Sequence, residues 1–157
     1  MDKIGRHTPK QGIVLSSDMP LILFCTVCTH QRNPWMAQSI VQKSLHSVWL
    51  QNDMAWHVGR YVIMPDHVHF LCRPAFTNLE EHPGVESWTA YWESNFSKQT
   101  QNKMWCWQRG VFHHRIRSDA HLAETINYMR HNPVRADLAK DPDTWAWQGE
   151  VHNLRIE

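Results

Sequence analysis

The chain has 157 residues, 42% of them hydrophobic and 20% charged, with a formal net charge of +1. That balance is globular, which excludes a disordered or fibrous chain, and it lacks the basic excess of a non-specific nucleic-acid coat. The length suits a single domain over 1–157 with a normal core, so any nucleic-acid site has to be local.

No apolar run approaches a membrane span and the first residues carry no signal-peptide core, which predicts a cytoplasmic protein with no membrane partner. Four cysteines suit that reducing compartment. Cys25 and Cys28 sit in the apolar run LILFCTVC, where a strand aims them at opposite faces, so they read as buried, reduced thiols and not as half a zinc site. Nine tryptophans are unusual for this length. Some must be core, and exposed ones would stack on bases.

Residues 1–19 lack periodicity and read as a loose lead-in. Leu21–Thr29 is a buried strand by length and flanks, ended by Asn33-Pro34. Residues 36–52 place Ile40, Val41, Leu45, Val48 and Trp49 at helical spacing, an amphipathic helix on a sheet. Trp56–Met64 and His67–Arg73 follow as strands joined by Pro65-Asp66, a link short enough to require an antiparallel hairpin. Pro74–Gly84 is a polar connection. A second helix over 85–100 buries Val85, Trp88, Trp92 and Phe96.

Trp105–Arg117, WCWQRGVFHHRIR, alternates as a strand, with Trp107, Arg109, Val111, His113, Arg115 and Arg117 on one face. Ser118 caps a third helix over 119–132 with Leu122, Ile126 and Met129 as its buried stripe, and Pro133 ends or kinks it. Residues 148–157 read as a tail. The order predicts an α+β fold: a ferredoxin-like βαββαβ core, an antiparallel sheet with helices on one face, plus an additional C-terminal helix.

His67 and His69 flank Val68 and therefore point to one face of their strand. Twelve histidines give about one His-x-His triplet by chance, so the pair needs its setting. Tyr128 and Asn132 are four apart and share a helix face. If that face covers the strand, two imidazoles, an amide oxygen and a phenol converge. A mixed nitrogen and oxygen set leaves positions open for water and substrate, which suits Mg²⁺ or Mn²⁺ in a phosphoryl reaction more than a closed zinc site. Each signal alone also has a plain structural reading: a half-buried tyrosine, an asparagine before a helical turn, surface histidines.

The strings MPDHVHFL, WQRGVF…RIRS and INYMRHNPVRADL resemble the single-tyrosine HUH transposases, and within them the REP-associated tyrosine transposases. The resemblance runs from about Leu21 to Trp147. It implies that His67 and His69 bind a divalent metal, Mg²⁺ or Mn²⁺, completed by Asn132, and that Tyr128 is the catalytic nucleophile on the additional C-terminal helix. The implied activity is a metal-dependent endonuclease and strand transferase acting on single-stranded DNA hairpins formed by palindromic repeats, through a 5′-phosphotyrosine, in a nucleoid-associated monomer or homodimer. Phe112-His113 stands where family members carry an aromatic residue and Asp, and Asp137 replaces a usual Gly. Local features add Arg109, Arg115, Arg117 and Arg135 as phosphate contacts and Trp105 and Trp107 as base-stacking residues. The alternatives are a domesticated hairpin-binding protein that does not cut, and a zinc hydrolase recruiting His113 or His114.

Overall fold

The alternation of apolar residues in three central strands sets the frame. The computed structural model describes residues 21–51, 53–75 and 82–154. In chain order its main elements are β1 (Leu23–Cys28), α1 (Ser39–Trp49), β2 (Trp56–Met64), β3 (His67–Pro74), α2 (Val85–Thr100), β4 (Phe112–Arg115), α3 (Asp119–Arg130), α4 (Asn132–Arg135) and β5 (Gln148–Glu150). The strands form one sheet in the order β4-β1-β3-β2-β5, and every neighbouring pair is antiparallel. This is the expected α+β arrangement, a ferredoxin-like core with a fifth strand added at one edge.

Successive residues of a strand face opposite ways, so each central strand feeds two cores. Leu23, Cys25 and Val27 of β1, with Val68, Phe70 and Cys72 of β3, meet α1 and α2 in the larger core. Phe24, Val62, Met64 and Leu71 pack on the other face with Ile116 and Met129, the latter from α3. The first two helices thus cover one face and the additional helix the other. All nine tryptophans are packed in or against one of these cores. Cys25 and Cys28 are buried and unbridged, as expected.

Four expectations change. Ile40 is 53% exposed, because the stripe of α1 begins one residue later, at Val41. The long strand expected over 105–117 pairs only at Phe112–Arg115, apart from one bridge between Trp107 and Thr29. Gly110 breaks it, with φ at +93°, a left-handed conformation incompatible with a continuous ladder. The third helix stops at Arg130, and Asn132 opens the short α4 with Pro133 in its first turn.

Residues 148–157, expected as a tail, begin instead with β5 beside β2. The N–H groups of Val151 and His152 then donate to the carbonyls of Gly59 and Val58, at 3.1 and 2.8 Å. Gly59 permits this close approach, since a Cβ there would lie 2.6 Å from Leu154 Cγ. The lead-in expected over 1–19 and the last residues, 155–157, lie outside the described residues. Among the described residues, no helix is long and apolar enough to cross a membrane.

Two stability predictions follow from local conformation. Asp137 closes α4 at φ 61°, where its N–H donates to Val134 O and that of Leu138 to Pro133 O. Glycine adopts this position without Cβ strain, so Asp137→Gly should raise unfolding stability by about 1 kcal/mol in a urea titration. Glu93 has a buried carboxyl oxygen with no hydrogen-bond partner, and burial pushes its pKa up to about 8. Its protonated form is favoured in the fold, so its contribution is intact at pH 4 and is lost as pH rises toward 8. Glu93→Gln should therefore leave the melting temperature unchanged at pH 4 and raise it at pH 8, by up to a few kcal/mol in stability.

Candidate active site

The pairing of β1 with β3 sets Cys28 opposite His67 and Thr26 opposite His69. Both histidines consequently face α3, away from the tryptophan-rich core, with their rings 4.7 Å apart. The His69 Nδ1 lies 2.7 Å from Thr26 Oγ1. The His67 Nδ1 lies 2.8 Å from Asp66 Oδ1. An ionised carboxylate only accepts, so Nδ1 of His67 carries the hydrogen and Nε2 keeps its lone pair. This is the support that metal-ligating histidines ordinarily receive. Arg32 Nη2 also stands 3.4 Å from His67 Nδ1, but two donors face each other there, so the shorter carboxylate contact decides the tautomer.

The support is itself braced. Arg32 Nε donates to Asp66 Oδ2 at 3.0 Å, and Thr29 donates through both its N–H and its Oγ1 to the Asp66 carbonyl at 3.0 and 3.2 Å. Gln31 and Arg32, in the 3-10 turn His30–Arg32, both have φ at 56°. Two consecutive left-handed non-glycine residues store backbone strain, and here that strain aims the Arg32 side chain at the Asp66 turn.

Burial lowers the pKa of His67 more than Asp66 raises it, so their contact is a neutral imidazole against a carboxylate. His69 falls to about 3, mainly by burial, then by the charges of His67, Arg135 and Arg32. Burial acts to raise Asp66, yet its hydrogen bonds from His67 and Arg32 outweigh that and hold it below its ordinary value. At neutral pH the site therefore presents two uncharged imidazoles, the form that binds metal.

Above them runs α3. Ser118 caps it by accepting from the His121 N–H at 3.0 Å. Thr125 and Met129 turn inward, which leaves Tyr128 at the rim of the site, 51% exposed. Its ring centre is 6.2 Å from that of His69, and Phe24, stacked on His69 at 5.2 Å, meets Tyr128 edge-on at 6.4 Å. The turn at Pro133 carries Arg135 back over the tyrosine, with its guanidinium 4.0 Å from the ring centre and its Nη2 donating to the Tyr128 carbonyl at 2.7 Å.

His67, His69, Tyr128 and Arg135 are thus brought together. Asn132 lies one turn beyond Tyr128, half-buried at the start of α4. Among the described residues, no three His, Cys, Asp or Glu side chains are grouped as a metal site. Arg109 and Arg117 are exposed, whereas Arg115 pairs with Leu23 and so belongs to the tryptophan face. Trp105 stacks on Trp35 at 5.4 Å, and Trp107 meets Trp92 and Phe96 edge-on. Both are half-buried and lie on the face opposite the histidines. His113 also faces that way, bonded to Glu86 at 3.0 Å.

Thr26, Arg32 and Asp66 were not singled out in the sequence. Asp66 had a signal, being adjacent to His67 in a hairpin turn. Thr26 becomes visible only through strand register.

No protein-family model and no curated protein matches the chain. Among solved structures, it is similar to a REP-associated tyrosine transposase bound to a REP hairpin, at 17% identity and a TM-score of 0.67, over 88% of this chain and 93% of that one. It is also similar to a transposase candidate from Deinococcus radiodurans R1, at 16% identity and a TM-score of 0.45, over 72% and 91%. The fold of this chain is that of the REP-associated tyrosine transposase.

Proposed function

We propose that the protein is a metal-dependent endonuclease and strand transferase that acts on single-stranded DNA hairpins through a tyrosine. The observation that carries this reading is the placement of an exposed phenol, Tyr128, 6.2 Å between ring centres from His69 in a pair of neutral histidines whose Nδ1 atoms are already engaged. The fold likeness to a hairpin-bound transposase supports it.

The donor set fits a hard divalent ion such as Mg²⁺ or Mn²⁺. His67 and His69 would hold it through Nε2, with the Asn132 amide oxygen, water and substrate oxygens completing the shell. Such an ion, when bound, polarises the phosphodiester. The chain's own groups do the rest. The Tyr128 oxygen attacks phosphorus, a phosphorus–oxygen bond to tyrosine forms as the bond to the 3′ oxygen breaks, and the leaving oxygen takes up a proton as a free 3′-OH. The product is a 5′-phosphotyrosine, whose retained ester bond allows rejoining to another 3′-OH. Arg135, held over the tyrosine, sets fixed positive charge where the phosphate must lie.

A hairpin-binding protein that does not cut is the second reading. Among the described residues, no third His, Cys, Asp or Glu is grouped with the two histidines as a ligand, which favours it. A zinc hydrolase has less support, because His113 faces the opposite core and His114 stacks on His121 at 5.7 Å.

Tyr128→Phe should abolish covalent attachment to a labelled single-stranded hairpin on a denaturing gel while binding persists in a native one. A Phe variant that still becomes covalently linked would place the nucleophile elsewhere. His67→Ala or His69→Ala should reduce cleavage by at least about 100-fold and weaken Mn²⁺ binding measured by calorimetry. Cleavage undiminished in EDTA would exclude the metal, and tight hairpin binding without product in Mn²⁺ would favour the second reading.

A further inference from the structure

Among the described residues, Phe112 is a large apolar side chain left exposed on the face of the histidines. It belongs to the edge strand β4, where its partner in β1 is Thr26, and the partner of Thr26 in β3 is His69. Directly opposed residues of antiparallel strands share a face, so Phe112, Thr26 and His69 form one row across three strands. With neighbouring strands about 4.8 Å apart, Phe112 stands about 10 Å from His69.

The next row is partly roofed, although His114 itself stays exposed. His114 pairs with Phe24, whose ring lies 5.2 Å away, and His121 of α3 stacks over it at 5.7 Å. Because α3 starts at Asp119 and passes over that second row, Phe112 remains 66% exposed. Among the described residues, none stacks on the phenyl ring. Charge complementarity favours a polyanion: Arg135 overhangs Tyr128 beside the histidines, while the Arg32 charge is already matched by Asp66.

We propose that Phe112 is a base-stacking platform for a nucleotide adjoining the phosphodiester held at His67, His69 and Tyr128. This rests on the nucleic-acid reading of the site. A phosphate seated over the histidines leaves its neighbouring base free to lie on the phenyl face one row away, and every base offers a π-face, so the contact is tolerant of sequence. Trp105 and Trp107 lie on the opposite face, away from this phosphodiester.

The test is carried out on the full chain with Tyr128→Phe, so that binding is read without cleavage, using labelled oligothymidylate and an abasic strand of equal length. Phe112→Ala should weaken oligothymidylate binding by roughly 10-fold, Phe112→Leu should do the same, and Phe112→Trp should restore it. Affinity for the abasic strand should not change in any variant. Equal loss on both strands, no loss on either, or a change in sedimentation showing that Phe112 joins two copies of the chain would overturn the proposal. Were the unsubstituted ring to bind neither strand, the nucleic-acid reading would fall with it, whereas tight oligothymidylate binding unaffected by Phe112→Ala removes the platform alone.

Discussion

A slip of one residue between β3 and β1 would turn His67 and His69 into the tryptophan core and bring Val68 and Phe70 out under α3. The site depends on that register more than on any single contact. It is held from the β1 side by the Thr26–His69 hydrogen bond and from the β2 side by the Pro65-Asp66 hairpin, whose length permits no other pairing. The apolar weight behind the register is large: Val68, Phe70 and Cys72 are all buried against α1 and α2. Deep burial of the even-numbered residues of β3 is what fixes the direction of the odd-numbered ones.

A second constraint is electrostatic. Burying two imidazoles side by side disfavours their charged forms, so the fold keeps them neutral, yet a neutral imidazole turns freely unless one nitrogen is tied. Asp66 and Thr26 do the tying. Asp66 would be costly there as an unpaired carboxylate, and Arg32 offsets that cost through its 3.0 Å contact. The strained turn at Gln31 and Arg32 is thereby connected to the chemistry: relaxing it would withdraw the guanidinium from Asp66, and with it the partner that fixes His67.

Much of this architecture was legible in the sequence because periodicity reports burial. The hairpin, α2 with its Val85, Trp88, Trp92 and Phe96 stripe, and the shared face of His67 and His69 all follow from spacing. What spacing does not report is which helix crosses which face. Trp105 and Trp107 sit beside arginines in the chain, and spacing gives no sign of their ring partner Trp35, about 70 residues away in sequence. The alternation of residues 112–115 was correct, and it placed Phe112 opposite His113, yet whether Phe112 or His113 faced the histidines depended on the β1–β4 register. β5 was missed because Gln148-Gly149-Glu150 has no apolar alternation, and its place comes from backbone pairing with β2.

The two halves of the proposed chemistry are held with different firmness, and the difference has a physical logic. The histidines sit on the middle strand of five, with a strand paired on each side, and their rings have buried neighbours. Tyr128 stands on a helix whose inward stripe is short: Met129 is fully buried, but Leu122 and Ile126 are only partly so, beside an open pocket of about 350 Å³ that they line with Ile22, Arg60, Leu71, Glu150 and Leu154. A metal site has to be preformed, because misplaced ligands lose affinity steeply. A nucleophile that takes a phosphoryl group and later releases it has to accept a changed position of its oxygen between the two states. Loosely packed support beneath the tyrosine helix and rigid support beneath the histidines are what such a reaction requires of one sheet.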